Sequence, residues 1–138
     1  MRYTVLLLCF LATLAQAQQI DPKVFVTLES ARTAQQSGDL SGAGRALNDV
    51  LKSTSAGSVE QALVQQRLGY LAIEREDYAA AIRWLQQGLA QDQLSSEAAQ
   101  QDRRNLAQLL VQQGRYQEAV RLLEAEGVGN LPLETRRM

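Results

Sequence analysis

Histidine is absent from the 138 residues, cysteine occurs once, proline twice, and aromatic residues make up only 5%. Without histidine there is no imidazole general base, no Ser-His-Asp arrangement and no imidazole metal site. The single cysteine, Cys9, lies inside an apolar run at the start of the chain. The rest of the chain therefore holds no disulfide and no thiolate nucleophile, whatever the redox state of its compartment. A lipid-attachment role for Cys9 is disfavoured: Leu8 precedes it where a small residue is expected, and few residues lie upstream. Scarce proline and abundant Ala, Leu and Gln favour helices.

The apolar run itself has a meaning. Met1-Arg2 is a short positive start, Val5 to Leu14 is almost wholly apolar, and Ala15-Gln16-Ala17 is a small-residue cleavage site. This is the layout of a secretory signal peptide. The run falls short of the roughly 20 apolar residues that span a bilayer. The expectation is a signal peptide over 1–17 and an exported periplasmic chain from Gln18 to Met138. The alternative is a chain tethered to the inner membrane by an uncleaved N-terminal segment. Without Arg2 there remain 13 basic and 15 acidic residues, a formal net charge of −2. That balance is no footprint for nucleic acid.

Internal repetition organises what remains. Leu40, Tyr78 and Tyr116 stand 38 residues apart, as do Ala43, Ala81 and Ala119, and Leu47, Leu85 and Leu123. Upstream, Ala31, Gly69 and Ala107 keep the same interval. Each copy reads as two helices joined by a tight turn. In the second copy Leu63, Leu68, Leu71 and Ala72 share one helical side, and Ala81, Ile82, Leu85 and Leu89 form a second apolar series. Gly38 and Gly114 suit the left-handed conformation that ends a helix, whereas Glu76 at the matching position is a less favourable choice. Asp21-Pro22, Ser58-Val-Glu-Gln61 and Ser95-Ser96-Glu97 supply helix starts, the second as a capping box. The small residues Ala31, Gly69 and Ala107 are expected to face Ala43, Ala81 and Ala119 where two helices cross closely. Tyr78 and Tyr116 are expected in the core, and Trp84 against the adjoining helix pair, with an exposed anchor as the alternative for Trp84.

Leu68-Gly-Tyr70 followed by Asp77-Tyr-Ala-Ala-Ala-Ile82, and Gly114-Arg-Tyr-Gln-Glu-Ala-Val120, resemble the tetratricopeptide repeat (TPR). The resemblance covers residues 24 to 126. It implies an all-α fold, a right-handed α-solenoid of three helix-turn-helix repeats at about 24–54, 59–93 and 97–127. These lie within a domain over 18–130, and a C-terminal tail follows over 131–138. The period of 38 departs from the family's usual 34. The additional residues are expected in the connections around Ser53 to Ser58 and Asp92 to Glu97. Gly42 and Gly44 inside a helix of the first copy each cost about 1 kcal/mol relative to alanine, so that copy is expected to be the least stable.

In proteins of this resemblance the first helices line a concave groove that holds a peptide or partner helix. Placing this sequence on that pattern gives a partner-binding set of Arg32, Gln35, Gln66, Tyr70, Ile73, Arg104, Gln108 and Val111, with Gln36, Glu74 and Gln112 beside them. Amides can bond a peptide backbone, and Tyr70 could anchor an apolar side chain. The bland reading is that these are solvated helix faces. The Lys and Asn constellation with which chaperone-binding members hold a terminal carboxylate is absent here, so that activity is not carried over. Carboxylate pairs such as Glu74 with Asp77, or Glu124 with Glu126, are ordinary surface acids in the absence of His or a metal-ligand cluster. The pairs Arg103-Arg104 and Arg136-Arg137 are ordinary surface charge. No enzyme activity, cofactor or metal is expected.

A narrower resemblance, carried by Leu68-Gly-Tyr, Asp77-Tyr-Ala-Ala-Ala-Ile, Leu94-Ser and Asn105-Leu-Ala-Gln-Leu, is to bacterial exported TPR proteins that accompany TonB-type energy-transducing complexes. It implies a non-enzymatic adaptor in the cell envelope whose partners include inner-membrane transducer components. The alternative is a self-assembling subunit, a homo-oligomer docking through an uncapped C-terminal repeat. Apolar residues near Leu109, Leu110 and Leu122 are expected to be poorly covered there.

Overall fold

The computed structural model describes residues 20–125; the signal-peptide reading, the tail over 131–138 and Arg136-Arg137 lie outside them. The described residues form an all-helical fold: α1 (Pro22–Gln36), α2 (Leu40–Leu51), α3 (Val59–Glu74), α4 (Tyr78–Ala90), α5 (Ser96–Gln112) and α6 (Tyr116–Glu124). Each helix packs on the next, and α1 also touches α3.

Helix starts follow the sequence closely. Asp21 accepts from the Lys23 amide at 2.8 Å, with Pro22 at the first helical position. Ser58 accepts from the Gln61 amide at 3.1 Å and Ser95 from the Ala98 amide at 3.2 Å. Gln61 does reach back, but to the Gly57 amide at 2.9 Å, one residue further than a capping box requires. Asp39 and Asp77 cap α2 and α4 through the amides of Gly42 and Ala80. Arg115, at the matching place before α6, makes no side-chain cap. Its guanidinium instead donates twice to Glu118, at 2.7 and 2.6 Å, which holds that carboxyl below the usual range.

The three turns within pairs repeat one geometry. The amides of Asp39, Asp77 and Arg115 bond the carbonyls of Ala34, Ala72 and Leu110 at 2.8, 2.9 and 2.8 Å. Such closure requires a left-handed residue just before, and Gly38, Glu76 and Gly114 have φ of +87°, +58° and +75°. Glu76 thus occupies glycine's conformation with a Cβ attached. The connections between pairs, over 52–58 and 91–95, are longer and contain their own left-handed residues, Gly57 and Asp92.

Small residues sit buried where helices cross: Ala31, Gly69 and Ala107 on first helices, Ala43, Ala81 and Ala119 on second ones. At Gly69 the approach is closest, since a Cβ there would stand 2.8 Å from Leu85 Cδ2 and 2.9 Å from Cγ. Two apolar clusters result. One joins α1, α2 and α3 through Val24, Leu47, Val64 and Leu71; the other joins α3 to α6 through Ile82, Leu85, Leu106 and Leu110. Trp84 packs against both, and lines one cavity with Gly44 and Asn48 of α2, as expected of a residue packed on the adjoining pair.

Two expectations about the C-terminal end are corrected. Leu109 and Leu110 are buried in the cluster that joins α3 to α6, and Leu122 is half-buried against it. Tyr116 is exposed, not core. Its counterpart Tyr78 is half-buried because α5 follows it, and no described helix follows α6.

Candidate functional site

Helices α1, α3 and α5 carry the amide-rich side chains singled out in the sequence, and the structure links them along one face. Gln35 on α1 donates to Glu74 on α3. Gln66 and Tyr70 on α3 both donate to the carboxylate of Asp102 on α5, the Gln66 amide at 2.5 Å. Asn105, one turn further along α5, donates to the Tyr70 oxygen at 2.9 Å, and Gln101 donates to Asn105 at 3.1 Å. Ile73 and Gln108 line a cavity of about 370 Å³ together with Tyr78, Asn105, Leu109 and Gln112.

Placement of the remaining predicted residues differs. Arg32 is exposed and pairs with Glu29 of its own helix at 2.9 Å. Arg104 is exposed one turn before Gln108. Val111 lies elsewhere: it packs on the core of α4 to α6 and lines a cavity of about 700 Å³ with Tyr116, Val120 and Leu123 at the far end. The face gathered by the structure therefore comprises Gln35, Gln66, Tyr70, Ile73 and Gln108, with Glu74, Asp102 and Asn105 added.

Asp102 was not singled out in the sequence. It is 1% exposed, a buried carboxylate that accepts from two side chains of the neighbouring helix. Burying a carboxylate is costly unless it is hydrogen-bonded, and Tyr70 and Gln66 provide those bonds. A signal was present: Asp102 falls 38 residues after Val64 and 76 after Val26, a polar residue in an apolar register position. Tyr70 responds to the arrangement. Its phenol is pushed up to about 12, first by burial and then by its bond to the Asp102 carboxylate, with Asn105 acting in the opposite sense. Tyr70 is thus a neutral donor at any physiological pH. Its hydroxyl is engaged in holding α3 to α5, and the half-buried residue packs against the cluster that joins α3 to α6.

Of the acids noted in the sequence, two have structural occupations, Glu124 is exposed, and Glu126 lies outside the described residues. Glu74 holds Gln35, and Asp77 caps α4. Among the described residues no three His, Cys, Asp or Glu side chains gather as a metal site requires, and no helix is long and apolar enough to cross a membrane. Chemically the face offers amide donors and acceptors around a mixed depression in which Asn105, Gln108 and Gln112 stand beside Ile73, Tyr78 and Leu109, a combination suited to bonding a polar backbone. No family model matches the sequence, and no curated protein matches it.

Proposed function

We propose that the chain is a non-enzymatic TPR adaptor of the bacterial cell envelope, a solenoid of three helix pairs that holds a peptide or partner helix along α1, α3 and α5. The observation that carries this reading is the gathering of Gln35, Gln66, Tyr70, Ile73 and Gln108 from three separate helices into one face. The repeated turn geometry at 38-residue intervals supports the repeat reading. Export to the periplasm rests on the signal-like segment over 1–17, and the partnership with a TonB-type transducer rests on the narrower resemblance.

The test is affinity capture of the tagged full chain after in-cell crosslinking, with mass spectrometry of its N-terminus and its companions. A bait beginning at Gln18 and carrying transducer components is the expected result. Substituting Gln35→Ala, Ile73→Glu and Gln108→Ala together is expected to abolish capture while leaving helical circular dichroism unchanged. Capture undiminished by that triple change would move the binding site off this face, and a bait beginning at Met1 would overturn export with cleavage.

A further inference from the structure

The interval of 38 residues allows each exposed apolar residue to be compared with its counterparts inside the chain. Val120 is the counterpart of Ile82, and Tyr116 of Tyr78. Ile82 is 1% exposed within the core that α4 forms with α5, whereas Val120 is 44% exposed and Tyr116 56%. At the opposite end Val26 is the counterpart of Val64 and Asp102. Those two are 0% and 1% exposed because α3 and α5 lie against the helix pair before them; Val26 is 61% exposed, beside Phe25 at 56%. The α1 face and the α6 face are thus the two halves of one pair-to-pair interface. The chain builds that interface twice internally, α1–α2 against α3–α4 and α3–α4 against α5–α6.

We infer that these faces are completed by a second copy of this chain, with Phe25 and Val26 of one copy docked over Tyr116 and Val120 of the other. The contact continues the internal succession of helix pairs. It joins two different surfaces, so it is head-to-tail and has no two-fold axis, and it propagates from copy to copy unless the rotation closes a ring. The cavity of about 700 Å³ bounded by Val111, Tyr116, Val120 and Leu123 is the seat for the incoming α1. The inference is independent of what the face along α1, α3 and α5 binds.

The test follows from the two ends being different. The full chain, followed by sedimentation from micromolar to millimolar concentration, is expected to grow in mass. Val26→Glu and Val120→Glu each ruin one end and are each expected to stay monomeric. Mixed in equal amounts, they are expected to form a dimer and nothing larger, because one sound α6 face meets one sound α1 face. Both residues are exposed in the monomer, so helicity serves as the folding control; should either variant unfold, Phe25→Ser and Tyr116→Ser replace them. A wild-type chain that stays monomeric throughout would overturn the proposal, as would a mixture that fails to pair. Association that appears only when the residues before Ile20 or after Ala125 are removed would assign the covered face to the chain's own end and likewise overturn it.

Discussion

At the scale of the residue, Asp102 is the most consequential side chain. A buried donor or acceptor deprived of its partner carries the desolvation cost alone, about 1–3 kcal/mol. Asp102→Ala strips an acceptor from both Tyr70 and Gln66, so a loss of that size is expected in urea unfolding. Tyr70→Phe removes one of the same bonds, and the double variant is expected to lose less than the sum of the two. Strict additivity would show that the Tyr70–Asp102 bond contributes nothing. The phenol adds a pH dependence with a definite sign. Its folded value of about 12 lies above the ordinary 10.0, so folding favours the protonated form. That contribution is whole below pH 10 and is lost as pH rises from 10 to 12. Absorbance titration is expected to show one late-ionising tyrosine that Tyr70→Phe abolishes, together with part of the alkaline loss of stability.

At the scale of the element, the three turns allow substitutions to be judged against one another. Glu76 holds a left-handed conformation that costs an L-residue roughly 1–2 kcal/mol, whereas Gly38 and Gly114 hold it freely. Glu76→Gly is therefore expected to raise stability by about 1 kcal/mol net of glycine's greater entropy in the unfolded chain. A fall in the urea midpoint would overturn that reading. Two glycines inside helices are expected to respond oppositely to alanine. At Gly69 the added Cβ drives into buried Leu85, and overpacking of this kind costs about 1–3 kcal/mol. At Gly44 the nearest atom, Leu71 Cδ2, is 3.4 Å away, an ordinary contact, so the gain of about 1 kcal/mol in helix propensity is expected to survive. Thermal midpoints of the two variants measure both signs directly. Such elements were legible in the sequence because caps, turns and small residues act locally or at a fixed interval. Asp102 was not read, because its partners Gln66 and Tyr70 stand 36 and 32 residues away on another helix. Only its clash with an apolar register position hinted at burial.

At the scale of the whole molecule, repetition alone misjudges the ends. Tyr116 matches Tyr78 in register, but no described helix follows α6 as α5 follows Tyr78, so among the described residues equal sequence positions have unequal environments. Val111 departs from the other site residues for a related reason: it points to the α6 side, where the last pair closes its own core. Between the ends, the two apolar clusters are bridged by Trp84. In a linear succession of helix pairs, stability is a sum of pair terms and neighbour interfaces, and Trp84 belongs to the interface between the first two pairs. Trp84→Ala removes a large side chain there, at a cost near the lower end of the 3–5 kcal/mol typical of such truncations, since the ring is only half-buried. The loss is expected to be uneven. Amides of α1 and α2 lose the interface on which their order depends, while α5 and α6 keep theirs. Hydrogen exchange is therefore expected to quicken over Pro22–Leu51 well before it changes over Ser96–Glu124. Uniform acceleration along the chain would instead mean that the six described helices open as one cooperative unit, and that Trp84 stabilises the molecule as a whole instead of joining two parts of it.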